Sequence, residues 1–175
     1  MDHLELDHPF LGHALNAVDA KGRVSVPAEF RGLIETRCRI YALPGDPVND
    51  KELRIGLHED GDRLQALDAI ASRQLTQDLR ESVSDMPAAE RRKALRAMQS
   101  DELGTLSVVS FDGAGRMVLP PMLRDFAGIE DLALFWGVGD QFEIWNPRAA
   151  RDAFKDSKRK LMTLDYLLKE RGVRL

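Results

Sequence analysis

An α+β fold, made of two β-rich units related by an internal pseudo-twofold and each followed by helix, is what three features of the sequence predict. A thirteen-residue motif occurs twice. Short runs of strand-forming residues bounded by Gly and Pro follow each copy, and stretches with apolar residues at helical spacing follow those.

The motif comes first. Residues 19–31 read DAKGRVSVPAEFR and residues 112–124 read DGAGRMVLPPMLR, without a gap. Asp19 matches Asp112, Gly22 matches Gly115, Arg23 matches Arg116, Pro27 matches Pro120 and Arg31 matches Arg124. The apolar positions agree too: Val24 with Met117, Val26 with Leu119, Phe30 with Leu123. VSVP and MVLP read as strands entered from a Gly turn and ended by Pro. The segments Pro27–Leu33 and Pro120–Ala127 read as short helical turns started by Pro. LALFWGVGDQFEIW is a hairpin by pattern, an apolar strand, a Gly-Asp turn and an alternating strand. In the first copy IYALPGD (40–46) lines up with LFWGVGD (134–140) and, after an inserted PVNDK, ELRIG (52–56) with QFEIW (141–145). This alignment puts Cys38 in a strand. A unit of about 45 residues is too small for a good core of its own, so two units are expected to share one.

Helices follow each unit. Leu64, Leu67, Ile70, Leu75 and Leu79 recur at helical spacing, and a second helix starts near Pro87 with Asp85 as its candidate cap. Phe154, Leu161, Leu164 and Leu168 lie on one stripe of a helix beginning near Pro147. The expected organisation is an N-terminal extension (1–11), a first β domain (12–58), a helical connector (59–104), a second β domain (105–148) and a C-terminal helix (149–175).

Composition narrows the class of function. The chain has 175 residues, 43% of them hydrophobic, and a net charge of −4. An acidic chain is not a general coat for nucleic acid, because phosphate neutralisation drives that binding; it binds DNA only where its cations gather on one face. No apolar run reaches bilayer length, and MDHLELDHPF lacks the basic-then-apolar layout of a signal peptide. The single cysteine, Cys38, forms no internal disulfide, and a reducing cytoplasm is the simplest location.

The chemistry of the motif points to DNA. Gly22 and Gly115 allow a tight turn with positive φ or a close approach to a ligand. Arg23 and Arg116 then begin strands from exposed loops, and the guanidinium fork suits bidentate contacts with phosphate or with guanine O6 and N7. Asp19 and Asp112 can accept hydrogen bonds across the turn and orient the arginines; Lys21 adds a point charge. The competing reading is a structural ion pair that closes a β-turn. Arg31 and Arg124 stand open between bracing their own unit and touching DNA.

The runs FLGHALNAVDAKGRVSVPAEFR (10–31), FDGAGRMVLPPMLRDFAGI (111–129) and GVGDQFEIW (137–145) resemble the MraZ family of bacterial transcriptional regulators. The resemblance implies a duplicated SpoVT-AbrB-type DNA-binding domain, with Arg23, Arg116, Lys21, Asp19, Asp112, Gly22 and Gly115 as the DNA-binding set. It also implies ring-like homo-oligomers on the nucleoid, bound to short repeated double-stranded sites upstream of the division and cell-wall gene cluster, its own promoter included, usually as repressors. Two features depart from the family: Ala114 stands where the first copy has Lys21, and the extension MDHLELDHP is unusual.

Other classes are weaker. His3, His8, His13 and His58 lack metal-ligand clustering, and the first three read as a solvated tail. GVG (137–139) and GAG (113–115) lead into strands, against a dinucleotide site. No enzyme activity, cofactor, metal, membrane partner or small-molecule substrate is expected. The alternative is an oligomeric scaffold or an antitoxin-like protein-binding module, using helix stripes together with Phe135, Trp136 and Trp145; the blander account puts these residues in the core. ERRKALR (90–96) reads as a solvated helix face.

Overall fold

Each unit opens on a short strand, turns through a glycine and enters a second strand. The computed structural model describes residues 7–175. In the first unit β1 (His13–Ala17) and β2 (Arg23–Ser25) lead to α1 (Ala28–Tyr41), the hairpin β3 (Glu52–Leu57) and β4 (Leu64–Leu67), and α2 (Ala69–Ser82). Helix α3 (Ala88–Glu102) joins it to the second unit. There β5 (Ser107–Ser110) and β6 (Arg116–Val118) lead to α4 (Pro121–Ala127), the hairpin β7 (Leu132–Gly137) and β8 (Phe142–Trp145), and α5 (Pro147–Ala153). Helix α6 (Lys158–Glu170) ends the chain's regular structure.

The strands form a six-stranded sheet in the order β1-β7-β8-β4-β3-β5 and a two-stranded ribbon of β2 with β6. Exchanging the units reverses the sheet order and leaves the pairing unchanged, which is the pseudo-twofold. The axis passes through the antiparallel β4–β8 pair at Gln65↔Glu143 and through the ribbon at Val24↔Met117. The first strands are exchanged: β1 pairs with the second unit's β7 (Leu15↔Leu134), and β5 with the first unit's β3 (Val108↔Arg54).

One apolar core serves both units, as their size demanded. Phe30 of α1, Phe142 of β8 and Phe10 of the N-terminal segment meet with ring centroids 4.9–5.6 Å apart. Val24, Val26, Met117 and Leu119 enter the same core from the ribbon. Burying each large apolar side chain contributes about 1.5–3 kcal/mol, so the ribbon is anchored from beneath by both halves of the chain.

Four local expectations are corrected. Helix α1 runs to Tyr41, because Phe30, Ile34, Arg37 and Cys38 are buried at helical spacing, and Pro44 lies two residues past its C-cap Ala42. Cys38 is therefore helical, and burial pushes its thiol up to about 11. The segment 40–46 is helix end and loop, so the counterpart of the β7–β8 hairpin is β3–β4, and ELRIG corresponds to β7 rather than β8. Leu64 and Leu67 belong to β4, since Asp68 caps α2 by accepting a hydrogen bond from the Ala71 N–H at 2.7 Å. Helix α3 begins after Pro87 without a side-chain cap from Asp85. The C-terminal stripe is split between α5 and α6, yet Phe154, Leu164 and Leu168 still bury together on Leu134 and Trp145, with Leu161 packed beside them.

The histidines are also more ordered than a solvated tail. The His8 ring lies against Tyr41, and His13 sits on β1, stacked on Trp136 at 5.4 Å; His3 lies outside the described residues. The His8 carbonyl accepts a hydrogen bond from Arg37, which is wholly buried. Arg37 also donates to both carboxylate oxygens of buried Asp68 (2.7 and 3.3 Å) and to the Asp140 carbonyl in the second unit's hairpin turn (3.1 Å). One side chain thus ties α1, α2, the N-terminal segment and the opposite unit together.

Phe135 and Trp145 are core residues and Trp136 is half-buried, as the blander account had it. ERRKALR lies on α3, which has no buried residue.

Candidate nucleic-acid interface

The two motif loops have the same construction. Asp19 Oδ1 accepts hydrogen bonds from the backbone N–H groups of Lys21 (3.0 Å) and Arg23 (2.9 Å). Asp112 Oδ1 accepts from Ala114 and Arg116, both at 2.9 Å. Such a side-chain turn is what aspartate offers at the head of a tight loop. Gly22 and Gly115 sit at φ +81° and +82°, the left-handed region in which glycine alone is at ease.

The second carboxylate oxygen holds the arginine. Arg23 Nε donates to Asp19 Oδ2 at 2.5 Å and Arg116 Nε to Asp112 Oδ2 at 3.2 Å. Both terminal guanidinium nitrogens of each arginine have no partner among the described residues. The side chains are 57% and 66% exposed. Each arginine is steered from its near end and free at its fork. The hydrogen bond from the Arg23 N–H, then that from its side chain, holds the Asp19 carboxyl below its ordinary range; for Asp112 the Arg116 N–H is the main cause. Both carboxylates stay ionised wherever the protein is folded at ordinary pH, so the tether persists.

Ribbon geometry places the two forks side by side. Strands β2 and β6 pair antiparallel with Arg23↔Val118, Val24↔Met117 and Ser25↔Arg116 in register. Val24 and Met117 point into the core, so strand alternation turns Arg23, Ser25, Arg116 and Val118 to the outer face. These four, with Asp19 and Asp112, line a shallow concavity of about 510 Å³. Lys21 is exposed at the edge of the first loop, where the second has Ala114. Of the seven residues expected from the motif, Asp19, Arg23, Asp112 and Arg116 share this face and Lys21 stands at its edge, while Gly22 and Gly115 are buried in the turns behind it.

Arg31 proves to be a hydrogen-bonded brace of the opposite unit's loop, whereas Arg124 packs on the opposite unit's Gly22 but hydrogen-bonds within its own unit. Arg31 donates to the Gly113 carbonyl of the second loop and to Val26 O, both at 3.2 Å. A Cβ on Gly115 would stand 2.5 Å from Arg31 Cδ, and one on Gly22 would stand 2.9 Å from Arg124 Nη1. Arg124 is held less firmly: it donates to Glu130 O at 3.2 Å, while its buried Nε has no partner among the described residues. Nothing in the linear motif shows that these arginines reach across. Ser25 and Val118 were missed as surface positions; alternation about Val24 and Met117 was the signal that could have found them.

Among the described residues there is no cluster of His, Cys, Asp and Glu fit to hold a metal, and no helix long and apolar enough to cross a membrane. The family model described as "MraZ protein, putative antitoxin-like" matches residues 104–165. A protein of Rhodospirillum rubrum named transcriptional regulator MraZ is 37% identical over 141 residues, 81% of either chain. Proteins of the same name from Rickettsia peacockii (38% identical, 79% of this chain and 82% of the relative) and Gluconobacter oxydans (34%, 89% and 86%) are similar over comparable spans.

Proposed function

This chain belongs to the MraZ family of transcriptional regulators, and from that premise we propose that it binds double-stranded DNA through the β2–β6 ribbon and its two loops. The observation that carries the proposal is the pair of aspartate-tethered arginines, with free guanidinium forks, adjacent on one exposed face. Arg23 and Arg116 contact guanine edges or phosphate; Asp19 and Asp112 orient them; Gly22 and Gly115 set the left-handed turn that aims each arginine outward; Lys21 adds a phosphate contact. A β-ribbon of this size fits a major groove.

One ribbon neutralises few phosphates, so useful affinity requires several chains acting together. We extend the proposal to a ring-like homo-oligomer that presents the ribbon repeatedly to short tandem promoter sites. Met122 and Phe126, one turn apart on α4 and half exposed, favour self-association. By likeness to the family, the regulator represses the division and cell-wall gene cluster together with its own promoter, in the cytoplasm and on the nucleoid. It acts without a cofactor and without catalysis. The scaffold or antitoxin-like reading draws on the same apolar surface, and it predicts no loss of function when the ribbon arginines are removed.

The test is a fluorescence-anisotropy titration of the chain's own upstream DNA with wild type, Arg23→Ala and Arg116→Ala. Both variants are expected to bind at least tenfold more weakly. Log affinity should fall linearly with log salt, whereas a flat salt dependence or equal binding by all three proteins would remove the proposal.

A further inference from the structure

The outer face of the ribbon carries two side chains besides the arginines, and they break its twofold symmetry. Ser25 and Val118 are equivalent under the pseudo-twofold, as are Arg23 and Arg116. Register places Arg23 directly beside Val118 and Arg116 directly beside Ser25. The face therefore consists of two rows, Arg–Val and Arg–Ser. Val118 is 52% exposed, an isopropyl group facing water in the lining of the concavity. Ser25 is half-buried, its carbonyl accepting from Asn16 Nδ2 at 2.7 Å, while its hydroxyl has no partner among the described residues.

We propose that Ser25 and Val118 are specificity-determining residues that make the ribbon read DNA in one direction, Val118 contacting a thymine methyl beside the base held by Arg23 and Ser25 hydrogen-bonding a base edge beside that held by Arg116. This rests on the DNA-binding reading above and deepens it. The chemistry follows from what the major groove displays. The thymine C5-methyl is the groove's apolar feature, and valine offers it a complementary surface; a serine hydroxyl donates or accepts and so meets a polar edge of another base. Residues two apart along a strand are separated by about 6.7 Å, close to two base steps of about 3.4 Å, so the two rows meet bases about two steps apart. With identical arginines and non-identical neighbours, the preferred element is not a palindrome, although the protein frame is twofold. Lys21 opposite Ala114 biases phosphate contact in the same asymmetric sense but reads no base.

The experiment is selection of a preferred site from a randomised duplex library by the full-length chain, comparing wild type, Val118→Ser, Val118→Ile and Ser25→Ala, with Arg23→Ala as the reference for DNA binding. Wild type is expected to select a directional element with thymine at one position. Val118→Ser should lose about tenfold of that thymine preference and select a more nearly palindromic element, while Val118→Ile, which keeps the apolar strand former, should retain it. Ser25→Ala, a change too small to threaten folding, should relax preference at a different single position. If Arg23→Ala weakens binding while Val118→Ser and Ser25→Ala select the wild-type element, the directional reading is overturned and DNA binding stands. If wild type selects nothing, or Arg23→Ala binds like wild type, both readings fail together.

Discussion

Behind the first unit's loop stands a helix of fourteen residues, and behind the second's a helix of seven. The extra turns of α1 carry Arg37 into the centre of the molecule, where it meets Asp68. The equivalent position in the second unit is Asn146, which caps α5 at the Arg148 N–H and donates to the Gly128 carbonyl, with no charge involved. The units thus share a motif loop and differ in what lies behind it, a buried ion pair in the first and neutral hydrogen bonds in the second. The turn chemistry is duplicated, whereas the polar groups that support it from beneath have diverged.

The largest test of that contrast is at the two caps. Asp68→Asn leaves Arg37 buried without its counter-charge and is expected to cost about 3–5 kcal/mol, whereas Asn146→Ala should cost about 1 kcal/mol. Urea midpoints measured at unchanged m-value will decide, and equal losses would abolish the distinction. Next come the glycines. A Cβ at Gly115 meets Arg31, which is fixed by two hydrogen bonds, and also Val26 O at 2.9 Å; at Gly22 it meets the end of the more loosely held Arg124. Gly115→Ala should therefore destabilise by about 3 kcal/mol and Gly22→Ala by about 1–2 kcal/mol, the left-handed backbone costing both variants alike. A reversed order in thermal melts would contradict the bracing assigned to Arg31.

The loops themselves should differ less. Arg23→Ala is expected to weaken DNA binding by about 30-fold and Arg116→Ala by about tenfold, because Lys21 assists only the first. Ala114→Lys should raise affinity a few-fold and steepen the salt slope by about one, and Lys21→Ala should flatten it by about one; unchanged slopes would make the loops equivalent. The smallest effect is in acid. Asp19 and Asp112 have folded pKa values below the ordinary 3.8, so their contribution is present above that value and is lost as pH falls through the lowered ones. Amide resonances of Lys21, Arg23, Ala114 and Arg116 should hold their positions down to about pH 4 and shift only below it, and Asp19→Asn or Asp112→Asn should remove that shift from its own loop alone.

The motif loops were legible in the sequence because Asp, Gly and Arg recur without a gap and their structural roles are local: a turn, a φ value, a hydrogen bond four residues back. The second hairpin was legible for the same reason, its turn and alternation lying within fourteen residues. The first was misplaced. IYALPGD imitates a strand and turn, and only the burial of Ile34, Arg37 and Cys38 against the rest of the protein carries the helix through to Tyr41. Leu64 and Leu67 fit a helical stripe equally well until Asp68 caps α2 behind them. Arg31 and Arg124 could not be resolved at all, because Arg31 hydrogen-bonds Gly113, 82 residues away, and Arg124 packs on Gly22 of the other unit. Local chemistry shows in sequence, and pairing between distant segments does not.

The exchange of first strands has a consequence for synthesis. Strand β2 has no partner until β6 exists, and β1 none until β7 does. A ribosome adding roughly 5–20 residues per second leaves the N-terminal loop without its ribbon for several seconds. During that interval the nascent chain carries Arg23 but no paired face on which to present it. On the proposed reading, topology withholds the DNA-binding face from every unfinished chain.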